Sequence, residues 1–190
     1  VDSDTVALSN LNRQLEALTS TVGLPKAEAV ARRIADINPN AVLHPLQELY
    51  NAENRSRFFP EGCRYDYIGA AIDLVSCKLD LAETARRLKI ALMMALGTGN
   101  KLDPSQLRLA DISETYGCPL ARVMRKELRN RGICRQPVVF SPEQPAPTTQ
   151  RETPPPGRRS VPASNPWVPA VAGLLVGSKG VRDLIANKGV

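Results

Sequence analysis

Two short apolar runs constrain the fold of this chain more than any other feature. YDYIGAAI (residues 65–72) ends on Asp73, and IALMMAL (90–96) ends on Gly97-Thr98-Gly99-Asn100-Lys101. Each is far shorter than the roughly 20 residues of a membrane helix. Each is also apolar on both faces, as a strand buried inside a parallel sheet must be. Parallel neighbours need a crossover, and residues 79–88 between the runs read as a helix. A polar residue closing each run sits where ligands bind in such sheets, at the carboxyl ends of the strands.

The remaining elements extend that pattern. Val1–Asp4 reads as the last turn of a strand that ends in acid. Lys26–Ile37 places Ala27, Val30, Ala31, Ile34 and Ile37 at helical spacing, and Asn38-Pro39-Asn40 stops it. A short strand is expected at 41–43, a half-exposed one at 106–112, an amphipathic helix at 119–131 and a strand at Pro137–Phe140. The last stretch, 171–185, reads as a helix packing through Val171, Leu174, Leu175, Leu184 and Ile185. The expected fold is α/β, a Rossmann-like, mainly parallel sheet flanked by helices. Ten of the 16 prolines fall in 137–169, which marks a loop or linker between a body at 1–136 and a terminal helix at 170–190 that packs back on it.

Charge is concentrated. The formal net charge is +6, and residues 122–135 alone carry six Arg or Lys against one Glu. On the helix at 119–131, Leu120, Val123, Met124 and Leu128 cluster on one side and Arg122, Arg125, Lys126 and Arg129 on the other. Four cations on one face suit a polyanion, a nucleic acid among them. The one histidine, His44, excludes a metal site built on two imidazoles. Cys63, Cys77, Cys118 and Cys134 form no CxxC pair, and no charged leader with an apolar stretch opens the chain. Free thiols, each a small buried hydrophobe, in the reducing cytoplasm are the expectation. No membrane partner is expected.

The chemistry concentrates in DSDTVALSNLNRQ, residues 2–14, followed by Val22-Gly23-Leu24-Pro25-Lys26-Ala27 and Ile37-Asn38-Pro39-Asn40. An acid at a strand end, two amides and two cations suit a nucleoside triphosphate. Phosphates take Arg and Lys, and ribose hydroxyls take a carboxylate. Asp73 and Gly97–Lys101 supply further polar strand ends, and a carboxylate there suits ribose or magnesium.

These three blocks resemble the nucleotide site of the ubiquitin-activating-enzyme-like (ThiF) adenylyltransferase family. The resemblance implies that Asp2 binds ribose, that Ser9, Asn10, Leu11, Asn12 and Arg13 line ATP, and that Lys26 meets the phosphates. It implies that Asp73 holds Mg²⁺ at the reacting centre, with Arg13 and Asp73 as the catalytic pair. Residues 97–133 and 168–185 are similar to one branch, the tRNA threonylcarbamoyladenosine dehydratases. That branch implies ATP-dependent activation of the threonylcarbamoyl carboxylate next to the anticodon, cyclisation with loss of water, and a homodimer. The alternative is an adenylyltransferase that activates the C-terminus of a ubiquitin-like sulfur-carrier protein, with a sulfur-transfer or carrier partner. A degenerate remnant is a third reading. The chain departs from the family at Ala70, where an acid is usual, and it contains no GxGxxG. The glycine-rich βα unit is expected upstream of Asp2, beyond a chain that starts without Met. The sheet is expected to lack that unit, and the isolated chain to bind ATP weakly and be inactive alone.

Overall fold

The computed structural model describes residues 1–147, 149 and 163–187. The chain divides into two compact units, Val1–Cys63 and Arg64–Val190.

The first unit holds helix α1 (Lys26–Ile37) and the short α2 (Arg55–Phe58). Two 3₁₀ turns, Leu8–Asn10 and Thr19–Thr21, carry the segment between Asp2 and α1. Val6, Ala17 and Ala29 form its small core, and Tyr50 packs edge-on against Phe58 and Phe59. Two expected strands are absent. Val1–Asp4 joins no ladder among the described residues, and the nearest pairing is the isolated bridge Thr5–Pro25. Among the described residues, 41–43 have no partner strand, and Val42 is 84% exposed, so no burial rewards extended pairing there.

The second unit holds the sheet. Its elements run β1 (Tyr67–Ala70), α3 (Val75–Leu88), β2 (Ala91–Ala95), β3 (Arg108–Asp111), α4 (Pro119–Asn130), β4 (Pro137–Phe140) and α5 (Val168–Asn187). The sheet order is β1-β2-β4-β3. The pairs β1–β2 and β2–β4 are parallel, while β3 joins the edge antiparallel to β4. The two apolar runs therefore lie side by side in one mainly parallel sheet, as the sequence predicts. Helix α3 starts four residues earlier than expected, directly behind the β1 turn.

Alternation along the strands assigns the two faces. Met93 and Val139 point to α5, where they pack with Leu107, Val168 and Ala172, flanked by Tyr67, Val171, Leu175 and Val176. Gly180 of α5 lies so close to the Tyr67 ring that a Cβ there would sit 3.1 Å from it. The Tyr67 hydroxyl donates to Asp183 at 3.1 Å. Burial, reinforced by that carboxylate, pushes the phenol up to about 12. Helices α3 and α4 pack together and α3 also contacts β1 and β2, while α5 contacts β1, β2 and β4.

Two packing expectations need correction. Leu174 and Ile185 of α5 are 72% and 50% exposed; Val168 and Ala172 take the core positions instead, because the helix enters its packing one turn earlier. Of the four thiols, Cys77 and Cys118 are buried, Cys63 is half-buried and Cys134 is exposed on the turn before β4. The segment 137–169 opens with β4 and closes with the first turn of α5. Residues 148 and 150–162 of that stretch lie outside the described residues, as do 188–190.

Candidate nucleotide site

In the first unit the motif folds back on itself through main-chain bonds. Val6 N–H donates to Leu24 O at 2.8 Å, Gly23 N–H to Val6 O at 2.8 Å and Lys26 N–H to Asp4 O at 3.0 Å. That antiparallel contact brings Lys26, the first residue of α1, onto the acidic segment. The Lys26 ammonium meets Asp4 Oδ2 at 2.9 Å, with the lysine side chain 10% exposed and the aspartate 66%. Asp2 accepts the Asp4 N–H at 2.9 Å through Oδ1, an Asx turn that fixes the acidic segment. Asp4, not Asp2, is thus the partner of Lys26, a pairing that spacing alone does not reveal. Asp2 and Lys26 nevertheless line one concavity of about 290 Å³, together with Glu16, His44 and the apolar Val30, Ala31, Ile34 and Leu43.

The Ser9–Arg13 segment is held tightly. Asn10 is buried, and its Oδ1 accepts the Ala7 N–H at 3.0 Å, capping the 3₁₀ turn. The Arg13 guanidinium donates from Nη1 to Ser9 O at 2.7 Å and to Asn12 Oδ1 at 3.0 Å. Its other N–H groups form no further hydrogen bond among the described residues, while Ser9, Leu11 and Asn12 are exposed. Next to it, Gln14 Oε1 is buried without a hydrogen-bond partner among the described residues. An unsatisfied buried acceptor costs about 1–3 kcal/mol, and an N–H or O–H from a ligand would relieve it.

In the second unit Asp73 stands exposed just past β1, and Lys78 lies beneath it in the first turn of α3. Lys78 is 2% exposed, and its ammonium donates to Ala95 O, at the end of β2, at 2.7 Å. Burial pulls it down from its ordinary 10.5 to about 8, against the attraction of Asp73. This buried cation is the residue that sequence reasoning misses. Its signal is available: a lysine five residues past a strand-end acid, directly after Cys77 in the first turn of a helix. The following loop is also anchored. Lys101 is buried and donates to Ser141 O at 2.9 Å and to Glu143 O, while Glu143 accepts the N–H groups of Leu102 and Asp103.

On α4 the structure separates the four predicted cations. Arg122, Lys126 and Arg129 are exposed. Arg125 instead turns inward and donates to Thr115 O and, at 2.7 Å, to Thr115 Oγ1.

The motif blocks are those of a known family, and its family model, the ThiF family, matches residues 1–179. A Bacillus subtilis tRNA threonylcarbamoyladenosine dehydratase is 39% identical across 98% of this chain and 76% of its own length. The chain belongs to the ThiF family, in that dehydratase branch. Solved structures agree with the assignment. The Escherichia coli tRNA N6-threonylcarbamoyladenosine dehydratase TcdA, crystallised with ATP, superposes with TM-score 0.83 at 31% identity, over 99% of this chain and 75% of that one. Its complex with AMP gives 0.84 at 30%. Similarity to a Saccharomyces cerevisiae adenylyltransferase and sulfurtransferase reaches only 62% of the chain, at 31% identity. This ThiF-family chain carries no group of three or more His, Cys, Asp or Glu able to hold a metal among its described residues.

Proposed function

We propose that the protein is an ATP-dependent dehydratase acting on threonylcarbamoyladenosine in tRNA, next to the anticodon. The observation that carries this reading is Lys26 and Asp2 lining one concavity, inside a motif that runs through a chain-long similarity to a dehydratase. The donor set fits a nucleotide: an ammonium, a guanidinium with unengaged N–H groups, a carboxylate and an unsatisfied buried acceptor.

ATP supplies activation of the substrate carboxylate, so that ring closure expels a good leaving group and the nucleoside loses one water overall. The chain's own residues bind and orient. Asp2 accepts the ribose hydroxyls. Lys26, held by Asp4 through one N–H, offers its others to phosphate. Ser9, Asn10, Leu11, Asn12 and Arg13 line the nucleotide. Asp73 would hold magnesium through its carboxylate, since that ion is commonly bound by one or two carboxylates alongside phosphate, and would act at the reacting centre. Exposed Arg122, Lys126 and Arg129 contact tRNA, with Arg125 bracing α4 from behind. A homodimer in the cytoplasm completes the reading. No helix of the described residues is long and apolar enough to cross a membrane.

The test is nucleoside mass spectrometry of tRNA from cells that lack their own dehydratase. Expression of the full-length protein should convert threonylcarbamoyladenosine to its dehydrated form. Lys26→Met or Asp73→Asn should lower conversion about a hundredfold or more, the usual effect of removing one preorganised charged group. Unconverted nucleoside in cells making folded protein would reject the reading. Carrier-dependent exchange of pyrophosphate into ATP would instead favour the carrier-activating alternative.

A further inference from the structure

We propose that the end of the sheet opposite Asp73 is a second RNA-binding face, built from the C-termini of α3 and α4, which grips the stem phosphates of the substrate tRNA. The proposal rests on the tRNA reading above and adds a surface to it. Strands β1, β2 and β4 are parallel, and α3 and α4 each lead back to the start of a strand. Both helices therefore end at the amino edge of the sheet. Arg86 Nη1 donates to Gly132 O, which fixes those two ends together. Around this point lie Arg86 and Arg87 in the last turn of α3 with Lys89 after it, and Arg129 in the last turn of α4 with Arg131 and Arg135 after it. Arg86 and Arg135 line one open concavity of about 530 Å³. Extending the register Met94↔Val138 sets Ala91 opposite Arg135, so Lys89 lies two residues before that level on the chain entering β2, while Arg135 lies on the chain entering the neighbouring β4.

The acids at this end are already engaged or stand apart. Glu83 and Glu127 both pair with Arg131, at 3.6 Å and 2.8 Å. Asp183 is held by Lys179 and by the Tyr67 hydroxyl. Asp111 accepts the N–H groups of Ser113 and Gln136, and Glu114 accepts that of Asp111, all on the β3 edge. Asp66 precedes β1 at the other edge. Arg87, Lys89, Arg129 and Arg135 are exposed and form no ion pair among the described residues. Basic side chains at helix C-termini normally serve the helix dipole. One or two suffice for that. Two helices, the turn after each and a shared concavity gather more, and phosphodiesters are the ligand that uses such a set.

Distance sets which part of the RNA is held. β2 has five residues, about 16 Å at 3.3 Å each, so this face lies well over one nucleotide step from the Asp73 end. It therefore reaches the helical stem and not the reacting nucleoside.

The experiment compares the protein with an Arg87→Gln/Lys89→Gln/Arg135→Gln variant, binding a labelled tRNA stem–loop and an unpaired oligonucleotide of the loop sequence, from about 50 to 200 mM salt. Arg86 and Arg131 stay, because they hold α3 to α4. The variant should bind the stem–loop at least about tenfold more weakly at 100 mM and lose about 2 from the slope of log affinity against log salt, at roughly 0.7–0.9 per phosphate contact. Loop-oligonucleotide binding should not change. Unchanged stem–loop affinity and slope in a variant of unaltered thermal midpoint, equal losses for both RNAs, or no stem–loop binding by the unsubstituted protein would each overturn the proposal. Failure of the dehydratase reading looks different: RNA is bound through this face but its threonylcarbamoyladenosine stays unconverted.

Discussion

Three lysines, Lys26, Lys78 and Lys101, are buried at 8%, 2% and 3% exposure, and each solves the cost of a buried charge differently. Lys26 has a carboxylate in contact, and Lys101 has two carbonyls. Lys78 has one carbonyl and the field of Asp73, the weakest arrangement of the three, and it is the one whose ammonium is pulled down to about 8. Its folded value lies below its unfolded value. Between about pH 8 and 10.5 the unfolded chain therefore binds more protons than the folded one, and stability from this group rises with pH across that window. Below pH 8 the full cost is present, on the order of 3 kcal/mol at about 1.4 kcal/mol per pH unit. Urea unfolding of the protein and of Lys78→Met at pH 7 and 9.5 should show the difference between them moving about 2 kcal/mol in favour of lysine at the higher pH. A pH-independent difference would mean that Lys78 keeps its proton throughout.

At the scale of elements, α4 shows how a helix is oriented by what it packs against. Its sequence pattern centres the apolar side on Leu120, Val123, Met124 and Leu128. The buried residues are Ala121, Met124 and Leu128, and Val123 is 45% exposed. The helix is thus rotated by about 60°, at 100° per residue, which carries Arg125 from the solvent side to Thr115. Buried Ala121 takes the place that the sequence pattern gives to Val123, and a threonine carbonyl satisfies the arginine that comes with it. The turn into α4 is equally constrained. Gly117 has φ +68°, and a Cβ there would lie 2.4 Å from Pro142 O. Gly117→Ala combines left-handed strain with a main-chain clash, so it should destabilise the protein by about 3 kcal/mol or more. A loss under 1 kcal/mol in chemical unfolding would show that the turn can move away from Pro142.

For the whole molecule, α5 is the element with an unsatisfied side. One face covers β1, β2 and β4. The other leaves Leu174, Val181 and Ile185 at 72%, 57% and 50% exposure, at spacings of seven and four that keep them on one stripe. The homodimer of the proposed function gives this stripe a use. Light scattering after size exclusion should find a dimer, and Leu174→Glu/Val181→Glu should shift it to monomer without changing the far-ultraviolet dichroism. A monomer before substitution would remove the dimer from the reading, and a dimer after it would move the contact elsewhere.

The sequence by itself determined the elements whose signal is local. Strands β1 and β2 follow from runs that are apolar on both faces, α1 from its 3.6-residue period and its Asn-Pro stop, and the family from three spaced motif blocks. The residue types of the nucleotide motif were equally legible, because phosphate and ribose demand those types wherever the chain places them. Tertiary structure decided whatever depends on a distant partner. It set β3 antiparallel at the edge, left 41–43 without a strand to pair with, joined Lys26 to Asp4, turned Arg125 inward and chose which stripe of α5 is buried. It also created the Lys78 site, since the carbonyl that holds that ammonium lies 17 residues away at the end of the neighbouring strand. Periodicity reports how a segment can fold; burial and hydrogen bonding between segments report what each side chain meets, and only the packed sheet fixes those neighbours.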